Sequence, residues 1–98
     1  MYLSIQNEAI FVADSHFNQQ RDAFYLFLKQ LHNKTIVTSQ LFLMGDMFEF
    51  ITQESHYFVE QNQEVITLLN ELSVMIEIIY LEGNHDYNLE KLFPKISV

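Results

Sequence analysis

Three short segments of this 98-residue chain carry side chains suited to hold a divalent cation: Asp14-Ser15-His16, Gly45-Asp46-Met47-Phe48-Glu49 and Gly83-Asn84-His85-Asp86. Carboxylate oxygens, imidazole nitrogens and an amide oxygen form a mixed donor set that fits first-row divalent metals. Each segment is weak evidence by itself. A turn residue beside a chance histidine yields Asp-x-His, while Gly-Asp and Gly-Asn are ordinary turn or capping pairs. Glu49 alone reads equally well as a solvated helix residue. The meaning of the three segments depends on whether the fold brings them together.

Each segment follows an apolar run, the third after one intervening residue, Glu82. Residues 9–13, 41–44 and 76–81, the last with one Glu inside, are rich in branched or aromatic side chains and read as buried strands. Between the first two, residues 21–31 place Phe24, Phe27, Leu28 and Leu31 at the i, i+3, i+4, i+7 spacing of an amphipathic helix. A second helix is predicted over 58–72, with Val65, Leu68, Leu69 and Leu72 on its apolar stripe and Glu64, Asn70 and Glu71 toward solvent. A short helical turn is expected at 89–93, before Pro94.

The order strand, helix, strand, helix, strand predicts an α/β fold with a parallel sheet and right-handed crossovers. In such a sheet all three strands end on one edge, so the segments that follow them converge where ligands bind.

With that placement, the series DxH, GDxxE, GNHD over roughly residues 10–86 resembles the calcineurin-like metallophosphoesterase superfamily. The superfamily pattern runs DxH, GDxxD, GNH(D/E), and later His and GHxH. The resemblance implies a single partial domain over 1–98, the β-α-β-α-β half of a metallophosphoesterase sandwich. It implies that Asp14 and His16 bind a first metal, that Asp46 bridges two, and that Asn84 binds the second. His85 would approach the substrate phosphoryl group. Glu49 stands where the family has the Asp that orients the catalytic histidine, and Asp86 is an alternative partner for it. Two divalent ions are expected in an intact site, with Mn favoured and Fe, Co or Zn compatible. Such a pair, about 3.5 to 4 Å apart, activates water and stabilises the oxygens of an in-line displacement.

Within the superfamily, the segments IFVADSHF and MGDMFEF are most similar to bacterial UDP-2,3-diacylglucosamine hydrolases, which cleave a pyrophosphate bond. That branch often carries Arg where this chain has His85. The substrate expected from the resemblance is a phosphorylated small molecule or nucleotide-lipid.

No histidine follows His85, so the later family motifs have no counterpart. The expectation is a truncated N-terminal half, inactive or weakly active, with at most one metal well held and an open sheet edge through which it self-associates. The alternative is a noncatalytic metal- or partner-binding fragment completed in trans.

Composition narrows the partners. Thirteen acidic against five basic residues give a formal charge of -8, which opposes general binding to nucleic acid. Bound cations would invert that field locally, so a phosphorylated substrate remains compatible. Cysteine is absent, which excludes disulfides and thiolate ligands and accords with a cytoplasmic setting. The N-terminus lacks the basic n-region and unbroken apolar core of a signal peptide. A cytoplasmic location is therefore expected, with peripheral membrane contact open for the intact enzyme.

Overall fold

The computed structural model describes residues 8–98. Its elements run β1 (Ile10–Val12), α1 (Ala23–His32), β2 (Gln40–Leu43), β3 (Ile51–Thr52), α2 (His56–Gln61), α3 (Gln63–Leu72), β4 (Glu77–Tyr80) and β5 (Asp86–Tyr87). The main sheet is parallel, ordered β1-β2-β4, with Ile10, Leu41 and Ile78 in one row and Val12, Leu43 and Tyr80 in another. This is the α/β arrangement read from the sequence. All four residues of the central strand β2 are buried, as a parallel strand covered on both faces requires.

One face of the sheet holds the main core. Leu41, Leu43, Ile78 and Tyr80 pack there, with Ile10 and Val12 against them. α1 adds Phe24, Leu28 and Leu31, and α3 adds Val65, Ile66, Leu69 and Leu72. Burying one such side chain contributes roughly 1.5–3 kcal/mol, so these two helical stripes anchor the strand ends that carry the site. On the opposite face Phe42 stacks on Phe11 at 4.5 Å, in register with buried Ile79.

The structure corrects the sequence reading at several points. The helix expected over 58–72 is two helices, α2 and α3, joined at Asn62. The buried Asn62 side chain donates to the carbonyls of Phe58 (2.7 Å) and Phe50 (3.3 Å), competing with regular helical bonding and tying the break to the segment before β3. Asn70 does not face solvent; its amide donates to the Leu92 carbonyl at 2.9 Å.

Residues 89–93 contain a single hydrogen-bonded turn, Leu92 N–H to Leu89 O at 2.9 Å, where the short turn was expected. Pro94 disfavours extending it as a helix, and burial of Leu89 and Phe93 in the core sets the path of the segment. The outer edge of β4 is also not fully open. Ser97 bridges Ile79 in parallel: the Tyr80 N–H donates to its carbonyl at 2.7 Å, and its own N–H donates to Ile78 O at 3.1 Å. A further two-stranded parallel sheet, β3 with β5, escaped the sequence reading because two-residue strands carry no periodicity.

Candidate metal centre

The loops leaving β1 and β2 stay zipped together beyond the sheet. Asp14 N–H donates to Gly45 O (3.2 Å), His16 N–H to Asp46 O (3.1 Å) and Phe17 N–H to Met47 O (2.8 Å), after which Glu49 N–H returns to Phe17 O (3.0 Å). The Ser15 hydroxyl adds a bond to Met47 O at 2.6 Å. This extended ladder runs through unusual backbone: φ is 52° at Asp14, 45° at His16, 51° at Asp46 and 94° at Gly45. L-residues in the left-handed region typically cost about 1–3 kcal/mol each, although Asp and His tolerate it better than most. Three of the four positions are the expected ligands, so the left-handed turns fall on the residues of the candidate site.

Asp14, His16 and Asp46 each offer one ligand atom, and these atoms lie within 4.8 Å of one another. Two ligands on opposite sides of a single cation, with bonds of about 2.1 Å, would be about 4.2 Å apart. The cluster therefore fits one divalent ion after a small inward movement of side chains, and its oxygen and nitrogen donors are of the right chemistry.

The third loop, after β4, is pinned to this pair. His85 is held at three points: its N–H donates to Asp46 Oδ1 (2.9 Å), its carbonyl accepts from Ile51 N–H (2.9 Å), and its ring Nδ1 lies 2.9 Å from the Glu49 carbonyl oxygen. A carbonyl only accepts, so Nδ1 carries the proton and Nε2 is the uncommitted nitrogen. The His85 ring sits edge to face with that of His16, centroids 5.6 Å apart. Asn84, between Gly83 and His85 in the loop after β4, has an exposed side chain.

Glu49 and Asp86 stand differently from the expectation. The Glu49 carboxylate accepts from the Asn18 side-chain amide, and the backbone carbonyl of Glu49, not its carboxylate, takes the imidazole. The extra methylene relative to Asp lets the carboxylate swing away while the main chain, fixed by the loop zipper, remains in reach. Asp86 is fully buried, and its carboxylate turns inward to Tyr80 and to three backbone N–H groups rather than to His85. Burial, reinforced by the adjacent Asp86 carboxylate, pushes the Tyr80 hydroxyl well above its usual range. Neither the Glu49 carbonyl nor Tyr80 was legible beforehand, since a main-chain acceptor leaves no sequence signal and Tyr80 reads simply as strand core. His32 and His56 lie outside the cluster and face Glu71 (3.8 Å) and Glu60 (2.8 Å).

The parallel sheet, the Asp-His-Asp cluster at its strand ends and the tethered histidine make this an α/β domain with a candidate metal site. A profile of calcineurin-like phosphoesterases matches residues 9–97, and the chain belongs to that family, whose membership implies divalent metal ions. Among curated relatives, it is 27% identical over 87 residues to a UDP-2,3-diacylglucosamine hydrolase of Tolumonas auensis, covering 88% of this chain and 35% of the relative. It is 29% identical over 91 residues to a protein of the same name from Psychromonas ingrahamii, covering 90% of this chain and 37% of the relative. The chain thus spans about a third of the length of the curated relatives it matches. No helix among the described residues is long and apolar enough to cross a membrane.

Proposed function

We propose that this chain supplies the first metal position and the phosphoryl-facing histidine of a divalent-metal-dependent phosphoester or pyrophosphate hydrolase. The observation that carries this reading is the meeting of Asp14, His16 and Asp46 within 4.8 Å, at the sheet edge where His85 is tethered. Two carboxylates in a chain of charge -8 would repel a phosphate by themselves. A bound cation supplies the charge neutralisation and water activation that phosphoester cleavage needs.

In this reading Asp14, His16 and Asp46 hold the first ion, and Asp46 with Asn84 offers donors to a second. Manganese suits the mixed donors, and iron, cobalt or zinc are compatible. His85 works through Nε2, because the Glu49 carbonyl occupies Nδ1–H and thereby sets the ring tautomer. Nε2 accepts a hydrogen bond from a substrate or donates one when the ring is doubly protonated. The names of the curated relatives support a nucleotide-lipid substrate, and a cytoplasmic enzyme meeting such a substrate at a membrane surface is the setting we propose.

Within these 98 residues no histidine follows His85, which leaves the second position with only Asp46 and Asn84. That favours, as a second reading, a metal-binding fragment that turns over only with ligands supplied from outside residues 1–98. Titration with Mn²⁺, together with hydrolysis of bis(p-nitrophenyl) phosphate, separates the two. Binding with turnover supports the hydrolase reading for the chain itself, and binding without turnover supports the fragment. Turnover that survives Asp46→Ala contradicts both.

A further inference from the structure

Behind the metal cluster lies a buried polar group that the proposed chemistry does not use. Asp86 is 0% exposed, yet its carboxylate receives four hydrogen bonds. Oδ1 accepts from Asp46 N–H (2.9 Å) and Gly83 N–H (2.8 Å), while Oδ2 accepts from Met47 N–H (2.8 Å) and from the Tyr80 hydroxyl. A buried carboxylate is costly unless its oxygens are satisfied, and here the donors come from two loops and a strand. These groups are therefore joined through one side chain.

The bonds bear on Asp46 in particular. Asp46 sits at φ 51°, a conformation that persists when its surroundings determine it. Its N–H is taken by Asp86 and its Oδ1 by His85 N–H, so the loop after β4 holds both the main chain and the side chain of this ligand. Gly83 closes the arrangement from another side, since a Cβ there would lie 2.4 Å from Asp46 Oδ1. Tyr80 in turn is fully buried in the main core, stacked on Phe93 at 5.7 Å, and thus ties the clamp to the rigid sheet.

We infer that Asp86 and Tyr80 are positioning residues for the metal ligand Asp46: Asp86 holds the Asp46 backbone in its left-handed turn, and Tyr80 fixes the orientation of Asp86. The inference rests on the proposed metal site. It assigns these residues no contact with metal or substrate. Their effect is to limit the positions the free Asp46 oxygen can take, so that it meets Asp14 and His16 without further ordering when an ion arrives. Groups that orient ligands in this way typically alter metal affinity 10–100-fold when removed.

The test is calorimetric titration of Mn²⁺ into the 98-residue chain, comparing the native sequence with Tyr80→Phe and Asp86→Asn. It is accompanied by electron paramagnetic resonance of the bound ion and thermal unfolding without metal. Tyr80→Phe removes one hydroxyl and keeps the ring, and it should weaken Mn²⁺ binding about tenfold or more and change the resonance line shape. Mn²⁺ affinity within about twofold of the native value, with only the melting temperature lowered, would overturn the inference and leave the metal site standing. A native chain that binds no Mn²⁺ overturns both. Should the variants fail to fold, amide exchange in the native chain decides: slow exchange at Asp46, Met47 and Gly83 supports the clamp, and exchange as fast as at exposed loop amides refutes it.

Discussion

Gly83→Ala is the sharpest local perturbation of the site. A Cβ at Gly83 would stand 2.4 Å from Asp46 Oδ1, 2.6 Å from Asp46 N and 2.8 Å from Asp46 Cγ. Ordinary heavy-atom contact requires roughly 3.5 Å, so one of the two loops must retreat by about 1 Å. Neither is free to do so. Asp46 N–H is bonded to Asp86 at 2.9 Å and Gly83 N–H to the same carboxylate at 2.8 Å, so movement of either lengthens a hydrogen bond to a buried anion. Overpacking of this kind costs about 1–3 kcal/mol, and weakening a hydrogen bond to a charged acceptor adds up to about 1.5–3 kcal/mol. Urea unfolding should therefore show Gly83→Ala destabilised by about 2–4 kcal/mol, with Mn²⁺ affinity reduced about 10- to 100-fold through displaced Asp46. A Gly83→Ala chain with native stability and native Mn²⁺ affinity would refute the claim that the third loop presses on Asp46.

Other outcomes follow from the same geometry. His85→Ala leaves the Asp14, His16 and Asp46 donors in place, so it should retain one Mn²⁺ by calorimetry while any phosphodiester turnover falls about 10²- to 10⁴-fold in steady-state kinetics. Saturating metal should stabilise the native chain by about 2.7 kcal/mol at a hundred times the dissociation constant, read as a rise in melting temperature that Asp46→Ala abolishes. The Tyr80 hydroxyl is shifted up by burial and by Asp86, so the unfolded chain releases this proton at lower pH than the folded one. That contribution to stability is complete below the ordinary tyrosine range near pH 10 and is lost as pH rises toward the folded value. Ultraviolet titration should show a late-ionising tyrosine signal that Tyr80→Phe removes.

How much of this was legible in the sequence follows from the length scale of each signal. The three strands of the main sheet and α1 were readable because Phe24, Leu28 and Leu31 express burial as helical periodicity, and the runs before Asp14, Gly45 and Glu82 express it as nearly unbroken apolar sequence. The convergence of Asp14, His16, Asp46 and His85 was readable because a parallel sheet forces its strand ends to one edge. The break at Asn62 was not, since it depends on a tertiary bond to the Phe50 carbonyl, and an asparagine inside an otherwise periodic stretch looks like a solvent position. The orientation of His85 was half legible: the sequence pointed to residue 49, but the atom that serves is its carbonyl. Asp86 was noticed for its charge, whereas its surroundings are set by Tyr80, by the main-chain N–H groups of Asp46 and Met47 from the loop after β2, and by Gly83 N–H of its own segment.

The most direct test of the central claim is ¹⁵N NMR of the native chain with substoichiometric Mn²⁺, because the paramagnetic ion broadens amide signals nearest to where it binds. The signals of residues 14–17, Asp46 and His85 should be lost early and selectively, with those of α2 and the exposed face of α3 preserved, and this selectivity should disappear in Asp46→Ala. Broadening that begins instead at the surface carboxylates of Glu54, Glu60 and Glu64, or that is unchanged by Asp46→Ala, would contradict that claim.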